Sequence, residues 1–150
     1  MSMIDDIQDF HDKFGLAYYG KPRNLPYVIT EFRQKFMTEE LREYSNACYS
    51  CDVAIQENDE AEVTHQLEQQ IDALVDLIYV ALGTAHLQGF DIEEAWKRVH
   101  EANMKKIRTP SADASQRGSK YDVIKPPDWI PPSHKDLVED NIHHQRELPF

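Results

Sequence analysis

Apolar side chains recur at spacings of three and four along the first two-thirds of the chain, and no segment there alternates apolar and polar residues as a half-buried strand does. The pattern is clearest between residues 60 and 87, where it falls on Leu67, Ile71, Leu74, Val75, Ile78, Leu82 and Ala85. It predicts an all-α protein in which this stretch is the core helix.

Turn-forming and capping residues set the ends of four predicted helices, at about 4–14, 27–56, 60–87 and 91–106. Gly15 ends the first, the Asn58-Asp59 turn separates the second from the third, and Gly89 stops the third. Asp91, followed three residues later by Glu94, resembles a capping box. Four helices with short links imply a helical bundle.

The composition changes at Thr109 to serine, aspartate, glycine and proline, with proline pairs on both sides of Trp129. This predicts an extended, non-helical segment. We therefore divide the chain into a catalytic helical domain, 1–108, and an extended Pro-rich segment with its tail, 109–150, that completes the substrate pocket or subunit contacts. The last residues, 138–150, are expected to form a loosely held tail or a short helix docked on a partner subunit.

Five acidic residues are the candidates for a functional site. Glu40 and Glu43 lie about 60° apart around the second helix, and Glu39 and Glu43 about 40° apart, an arrangement also typical of a solvated helix face. Asp72 and Asp76 are different, because they are the only acids between residues 71 and 87 and stand beside the apolar stripe. Like charges in such a place are costly unless a cation compensates, and hard divalent cations prefer oxygen ligands. The acids predict a divalent metal site.

These acids stand in a pattern that resembles the all-α nucleoside triphosphate pyrophosphohydrolases of MazG type, close to phosphoribosyl-ATP pyrophosphohydrolase. The family motif is Glu-Glu-x-x-Glu on one helix, matched by residues 39–43, and Glu-x-x-Asp on the next, where Asp76 matches the aspartate. The motif's other glutamate would fall at Ala73. Asp72, one residue earlier, is its candidate substitute.

Two further elements extend the resemblance. Asn103-Met-Lys-Lys106 resembles the family's Asn-Met-x-Lys element, and the run from Lys120 through Lys125-Pro-Pro to Trp129 resembles the Lys-x-x-Lys-Pro and aromatic tail of phage and bacterial members. Upstream, the match includes Phe10, Phe14 and Arg33. The resemblance thus suggests a phage or bacterial protein with a MazG-like four-helix bundle.

The resemblance implies hydrolysis of a nucleoside triphosphate to the monophosphate and pyrophosphate. Glu40, Glu43, Asp76 and Asp72 would hold one to three Mg²⁺ or Mn²⁺ ions. Glu39 would either support these ligands or act as a base that orients the attacking water. The implied substrate-binding residues are Arg33, Asn103, Lys106, Lys120 and Lys125. Trp129 would either stack on the base or dock the tail on the core. Family members are dimers or tetramers, so a homo-oligomer is expected.

The net charge and the hydropathy of the chain restrict the classes of binding partner that we expect. A formal net charge of −11 opposes nucleic-acid binding, and no apolar run approaches the roughly 20 residues of a membrane span. The N-terminus lacks the basic start and the continuous apolar stretch of a signal peptide, so we expect a cytoplasmic location. If the protein is phage-encoded, that location is the cytoplasm of the host. The substrate and partners are therefore predicted to include neither nucleic acid nor membrane.

Several alternatives stay open at this stage. The phage-like tail favours deoxynucleotide-pool control, with dGTP or GTP as candidate substrates, but nucleoside diphosphates and phosphoribosyl-ATP are also possible. A different class is a non-catalytic helical adaptor whose acids only solvate two helices. Zinc at Cys48 and Cys51 is disfavoured, because only His65 and the His143-His144 pair could complete four ligands.

Overall fold

The computed structural model describes residues 1–139 and the backbone of residues 143–144. Four helices dominate it: α1 (Met3–Lys13), α2 (Tyr27–Gln56), α3 (Glu60–Leu87) and α4 (Ile92–Asn103). The strands have two residues each: β1 (Arg23–Asn24), β2 (Ile107–Arg108), β3 (Val123–Ile124) and β4 (His143–His144). A 3₁₀ turn spans Lys135–Leu137. The all-α prediction is confirmed.

The chain forms two compact units, which divide between Phe90 and Asp91. The predicted division into a catalytic domain, 1–108, and a Pro-rich segment, 109–150, stays a prediction. The first contains α1, α2 and α3, with β1 paired parallel to β4. The second contains α4 and an antiparallel hairpin of β2 and β3. Residues 109–139 contain no α-helix and consist mainly of turns, with the strand β3 and one 3₁₀ turn. The extended Pro-rich segment stays a prediction, and most of the predicted tail lies outside the described residues.

Side-chain caps explain where three of the helices begin. Ser2 and Asp5 form a reciprocal capping box on α1. Asp59 and Asp91 each accept a hydrogen bond from the backbone N–H three residues on, so both satisfy a donor that the helix leaves unpaired. The observed bounds of α2 and α3 match the predicted ones, while α4 ends at Asn103 instead of about Lys106.

Small side chains line the helix faces buried in the first unit, where α2 and α3 form the most extensive helix pair. We call this buried strip the seam; it consists of Ala47, Cys51 and Ala54 on α2 with Ala73, Val80 and Gly83 on α3. Small residues let two helix backbones approach closely. The burial of these six residues marks the faces of α2 and α3 that are turned inward.

The prediction that the apolar stripe of α3 is core was wrong for five of its seven members. Leu67, Ile71, Leu74, Val75 and Ile78 are exposed, whereas Ala85 is buried. Helical periodicity marks an apolar face but does not say which strip of it meets a neighbour. Here the strip of small residues packs inward, and the bulky residues remain outside.

A polar cluster joins α1 and α2 to the last turns of α3. Arg33 donates from Nε to the Thr84 hydroxyl at 3.0 Å and from Nη2 to the Val80 carbonyl at 2.8 Å. His11, which is buried, donates from Nδ1 to the Ile7 carbonyl at 2.8 Å. A Cβ at Gly83 would lie 2.8 Å from Arg33 Nη2 and 3.0 Å from His11 Cε1. A side chain at this position would therefore push against the Arg33 guanidinium and the His11 ring.

By length and composition alone, α3 is the one described helix that could cross a bilayer. The sequence-based statement that no stretch approaches a span was too strong on this point. The core helix of a soluble protein can have the same composition, and α3 packs against both α1 and α2. The finding is therefore weak evidence for a membrane span.

We predict that Gly83→Ala lowers the free energy of unfolding by about 1–3 kcal/mol, because the new methyl group overlaps Arg33 and His11. Helix propensity alone predicts the opposite sign, since alanine is favoured by about 1 kcal/mol. Urea denaturation measures the difference. In an Arg33→Ala background the same substitution should cost less, because the nearest overlapping atom is gone. A stabilised Gly83→Ala protein would contradict this packing.

Candidate active site

Glu40 is a buried acid within the first unit. It precedes Ala47, Cys51 and Ala54 by 7, 11 and 14 residues, which places all four within about 60° on one strip of α2. Glu40 is only 7% exposed, and its Oε2 atom is buried without a hydrogen-bond partner among the described residues. A carboxylate in this position needs a compensating group that the described side chains do not supply.

The other four candidate acids affect the pKa of the Glu40 carboxyl. Burial raises the pKa of the Glu40 carboxyl most, followed by repulsion from Glu43, Asp76, Glu39 and Asp72, in that order. Those four side chains are exposed. The structure thus places each of the other four candidate acids within electrostatic reach of Glu40.

Asp72 and Ala73 have different environments on α3. Ala73 lies in the seam and is 3% exposed, so the family's glutamate position faces inward. Asp72 is exposed, and its effect on the Glu40 carboxyl is the weakest of the four. The role of Asp72 as a metal ligand therefore stays a prediction.

The acids fit a hard divalent cation by chemistry and charge. All donors are carboxylate oxygens, and the unpaired Oε2 of Glu40 is suited to a ligand role. Within the part of the chain that the structure describes, no three acidic, histidine or cysteine side chains converge closely enough to form a ready coordination shell. The exposed acids would have to rotate toward Glu40 to complete one.

An open groove adjoins this acidic cluster on α2. Its volume is about 470 Å³, and it is bordered by Lys35, Thr38, Glu39, Arg42 and Glu43. Two acids of the motif thus share one groove with two cations. Such a mixture of charges suits a ligand that carries both a metal and phosphate oxygens.

Arg33 has contacts that explain its position without a ligand. Its guanidinium hydrogen-bonds to Val80 and Thr84 on α3, and its carbon Cζ lies 5.8 Å from the Phe36 ring centroid. These contacts anchor α2 to α3. A substrate-binding role for Arg33 stays a prediction.

In the second unit, Trp129 is docked on the end of α4. Its Nε1 donates to the Ala102 carbonyl at 2.7 Å, and the Nζ atoms of Lys106 and Lys125 lie 5.4 and 4.9 Å from its ring centroid. Tail docking accounts for these contacts. Lys120 is elsewhere, over Tyr121, and Asn103 is the exposed last residue of α4.

Sequence reasoning missed a polar network around Asp122. This carboxylate accepts hydrogen bonds from the Ser115 hydroxyl at 2.6 Å, from the Arg117 guanidinium, and from the Val123 backbone N–H at 2.8 Å. The Ser115 bond and then Arg117 lower the pKa of Asp122 to about 2. No periodicity marks such residues, because they lie in a loop and meet through the hairpin.

Both cysteines are on α2 as free thiols, Cys51 buried in the seam and Cys48 half-buried. His65, on α3, is exposed. The side chains of His143 and His144 lie outside the described residues. The zinc alternative thus finds no support in the described geometry.

Together, these features define an all-α chain with an acidic centre shared by two helices. The profile of the phosphoribosyl-ATP pyrophosphohydrolase family matches residues 7–103, well over half of the chain, and the protein belongs to this family. It is therefore a pyrophosphohydrolase of nucleotide-like substrates. No curated protein sequence matches the chain.

We predict that Glu40→Gln raises the free energy of unfolding by about 1 kcal/mol in EDTA, because it removes a buried charge repelled by four acids. Asp52→Asn, an exposed change on the same helix, should have little effect. Mg²⁺ should stabilise the wild-type protein and not Glu40→Gln, as thermal melts with and without the ion can measure. A Glu40→Gln protein less stable than wild type in EDTA would contradict the uncompensated charge.

Proposed function

We propose that this protein hydrolyses nucleoside triphosphates between the α and β phosphates and releases a nucleoside monophosphate and pyrophosphate. The observation that carries the proposal is the buried, unpaired Glu40 carboxylate among four other acids, inside the segment that matches the family. A group held at such cost is typical of a functional site. Control of the nucleotide pool is the cellular role that follows.

In this proposal Glu40, Glu43 and Asp76, with Asp72, hold one to three Mg²⁺ or Mn²⁺ ions. The ions would neutralise phosphate charge and activate water. Glu39, beside them on α2, would accept a hydrogen bond from the attacking water and orient it toward phosphorus. Burial of Glu40 favours this assignment, because an oxygen that lacks protein donors remains available to a cation.

The cationic residues have a complementary role. Lys106, Lys120 and Lys125, with Arg33, would stabilise the negative charge that develops on the phosphates, and Asn103 would donate a hydrogen bond. Trp129 would hold Lys106 and Lys125 in place through its ring, consistent with their distances from it. Base stacking on Trp129 is less well supported, because its N–H already bonds to Ala102.

For the substrate we propose deoxynucleoside triphosphates, with dGTP and GTP as the first candidates. The support is the resemblance of residues 120–129 to the tail of phage members. Nucleoside diphosphates and phosphoribosyl-ATP offer the same phosphoanhydride chemistry and are the alternatives. Pyrophosphate and phosphate release measured across canonical nucleotides and phosphoribosyl-ATP, with Mg²⁺ or Mn²⁺, distinguishes them. Release of phosphate from diphosphates would favour the broader activity.

We predict that Glu43→Ala and Asp76→Ala each reduce pyrophosphate release by about 100-fold or more, since each removes a proposed metal ligand. Asp52→Ala on α2 and Glu68→Ala on α3 are matched controls. Both are exposed acids outside the cluster, and both variants should retain activity. Full activity in Glu43→Ala and Asp76→Ala would refute the site. If the wild-type protein hydrolyses no nucleotide, the adaptor alternative is favoured.

We also propose that the protein is a cytoplasmic homo-oligomer, a dimer or a tetramer. The exposed residues of the α3 stripe form a long apolar face on a chain of strongly negative charge. Isolated exposed apolar residues are common, but a continuous row of large ones is typical of an interface. A second copy of the chain presents the same face, so isologous pairing covers both rows.

We predict that Ile71→Glu and Leu74→Glu each shift the protein toward the monomer. Each loses roughly 1.5–3 kcal/mol of apolar burial and places a like charge at the interface of two copies. Light scattering coupled to size exclusion measures the mass. Gln69→Glu adds the same charge elsewhere on α3 and should leave the mass unchanged. A wild-type monomer at micromolar concentration would contradict the proposed interface.

A further inference from the structure

Two phenylalanines at the end of α1 form an exposed ring pair. The ring centroids of Phe10 and Phe14 lie 4.7 Å apart, with an interplanar angle of 53°. Phe10 is 39% exposed and Phe14 is 55% exposed. Aromatic rings stabilise a protein chiefly when they are buried, and exposed apolar side chains that lie together are typical of a binding surface. We call these two rings the aromatic platform.

Tyr79 attaches the platform to α3. The Phe10 ring meets the Tyr79 ring edge to face, at a centroid distance of 5.4 Å and an interplanar angle of 86°. Among the described aromatic residues, Phe14 pairs only with Phe10. Phe10 therefore has a packing role between two helices, whereas packing does not explain why the exposed residue at position 14 is a phenylalanine.

The position of Tyr79 places the platform close to the acidic cluster. Tyr79 lies about 20° around α3 from Asp72 and about 60° from Asp76, and about 4.5 Å beyond Asp76 along the helix axis. The helix α1 thus packs on the side of α3 that carries the two acids. In a nucleotide a single sugar separates the base from the α phosphate. A nucleotide whose phosphates bind at the acids therefore has its base within reach of the platform.

A cation lies beside the platform. Lys13 is exposed, and its Nζ atom lies 5.5 Å from the Phe14 ring centroid. None of the ion pairs among the described residues includes Lys13. A base stacked on Phe14 would have its edge near this ammonium group. The edge of guanine has two acceptors, O6 and N7, whereas adenine has an amino donor in place of O6, so the charge favours guanine.

We propose that the aromatic platform binds the base of the nucleotide substrate by stacking, and that Lys13 selects guanine by donating to its O6 and N7 atoms. The proposal rests on the proposed function, because phosphates bound at the acids are what bring the base to α1. It assigns base recognition to Phe14 and Lys13, whereas the N–H of Trp129 is already bonded to Ala102.

The first test compares kcat and KM for dGTP and dATP between the wild-type protein and its variants. Phe14→Leu removes the ring and should raise KM about tenfold for both nucleotides, because stacking on an aromatic ring is favourable for every base. Little change in kcat is expected, since stacking is equally strong before and during the reaction. Phe14→Tyr keeps the ring and should retain the wild-type KM. Tyr49→Leu, at an exposed aromatic position on α2, is the matched control and should leave KM unchanged.

Lys13→Gln tests the selection of guanine. KM should rise about tenfold for dGTP and stay the same for dATP, because a side chain that reads a base edge discriminates between bases by about this factor or more. Lys13→Arg keeps a donor with the same charge and should retain the preference. Lys97→Gln, at an exposed lysine of α4, is the matched control. An unchanged ratio of the two KM values in Lys13→Gln would overturn the role of this lysine.

A second readout needs neither catalysis nor a metal. Deoxyguanosine, which has no phosphate, is added to the full chain in EDTA, and saturation-transfer NMR records the magnetisation that passes from the protein to the H8 proton of the base. We expect a signal with the wild-type protein and with Tyr49→Leu. The signal should be largely lost in Phe14→Leu, because the stacking surface is gone.

The outcomes distinguish this proposal from the hydrolase proposal. If the wild-type protein hydrolyses dGTP while Phe14→Leu has an unchanged KM, the platform is wrong and the hydrolase proposal stands. If the protein hydrolyses no nucleotide but binds deoxyguanosine through Phe14, the hydrolase proposal is wrong and the platform stands. Absence of both hydrolysis and binding overturns both.

Two further results would overturn the platform. One is an equal effect of Phe14→Leu and Tyr49→Leu on KM, which would indicate a general response to the loss of a surface ring. The other is a lower mass of Phe14→Leu in light scattering with an unchanged KM, which would identify the rings as a contact between subunits. Circular dichroism shows whether each variant has folded, and the Lys13 variants keep the test available if Phe14→Leu does not fold.

Discussion

Burial of the Glu40 carboxylate is the constraint from which the first unit is best understood. Removing a carboxylate from water is costly, and four further acids raise that cost. Glu40 is buried because it lies on the same strip of α2 as Ala47, Cys51 and Ala54, which belong to the seam. Packing of this strip therefore buries the acid at a place where the described side chains leave its Oε2 atom without a hydrogen-bond partner.

The small residues of the seam have a second consequence, which concerns the outer surface. Two helices that pack through alanine, cysteine and glycine lie close together and cannot also bury leucine and isoleucine on the same strip. The large apolar residues of α3 are consequently left outside. One packing arrangement thus accounts both for the acidic centre and for the exposed apolar face.

The second unit is held together differently. Residues 109–139 have no long helix or sheet with which to build an apolar core, and polar contacts organise them instead. Asp122 gathers Ser115 and Arg117, and Arg98 on α4 binds Asp136 through both of its carboxylate oxygens. Trp129 attaches the Pro-rich segment to the end of α4. The same ring has the ammonium groups of Lys106 and Lys125 near it.

The sequence by itself determined the helices and the motif. Capping residues, glycines and the 3.6-residue period are local signals, so the bounds of α2 and α3 and the cap at Asp91 could be predicted. The spacing of Glu39, Glu40 and Glu43 likewise put three acids on one side of a helix. Only the tertiary structure decided that Glu40 is buried, that most of the α3 stripe is exposed, and that Lys106 and Lys125 both lie near the Trp129 ring. Those outcomes depend on which faces meet and on strand register, which are contacts between distant residues that no local pattern encodes.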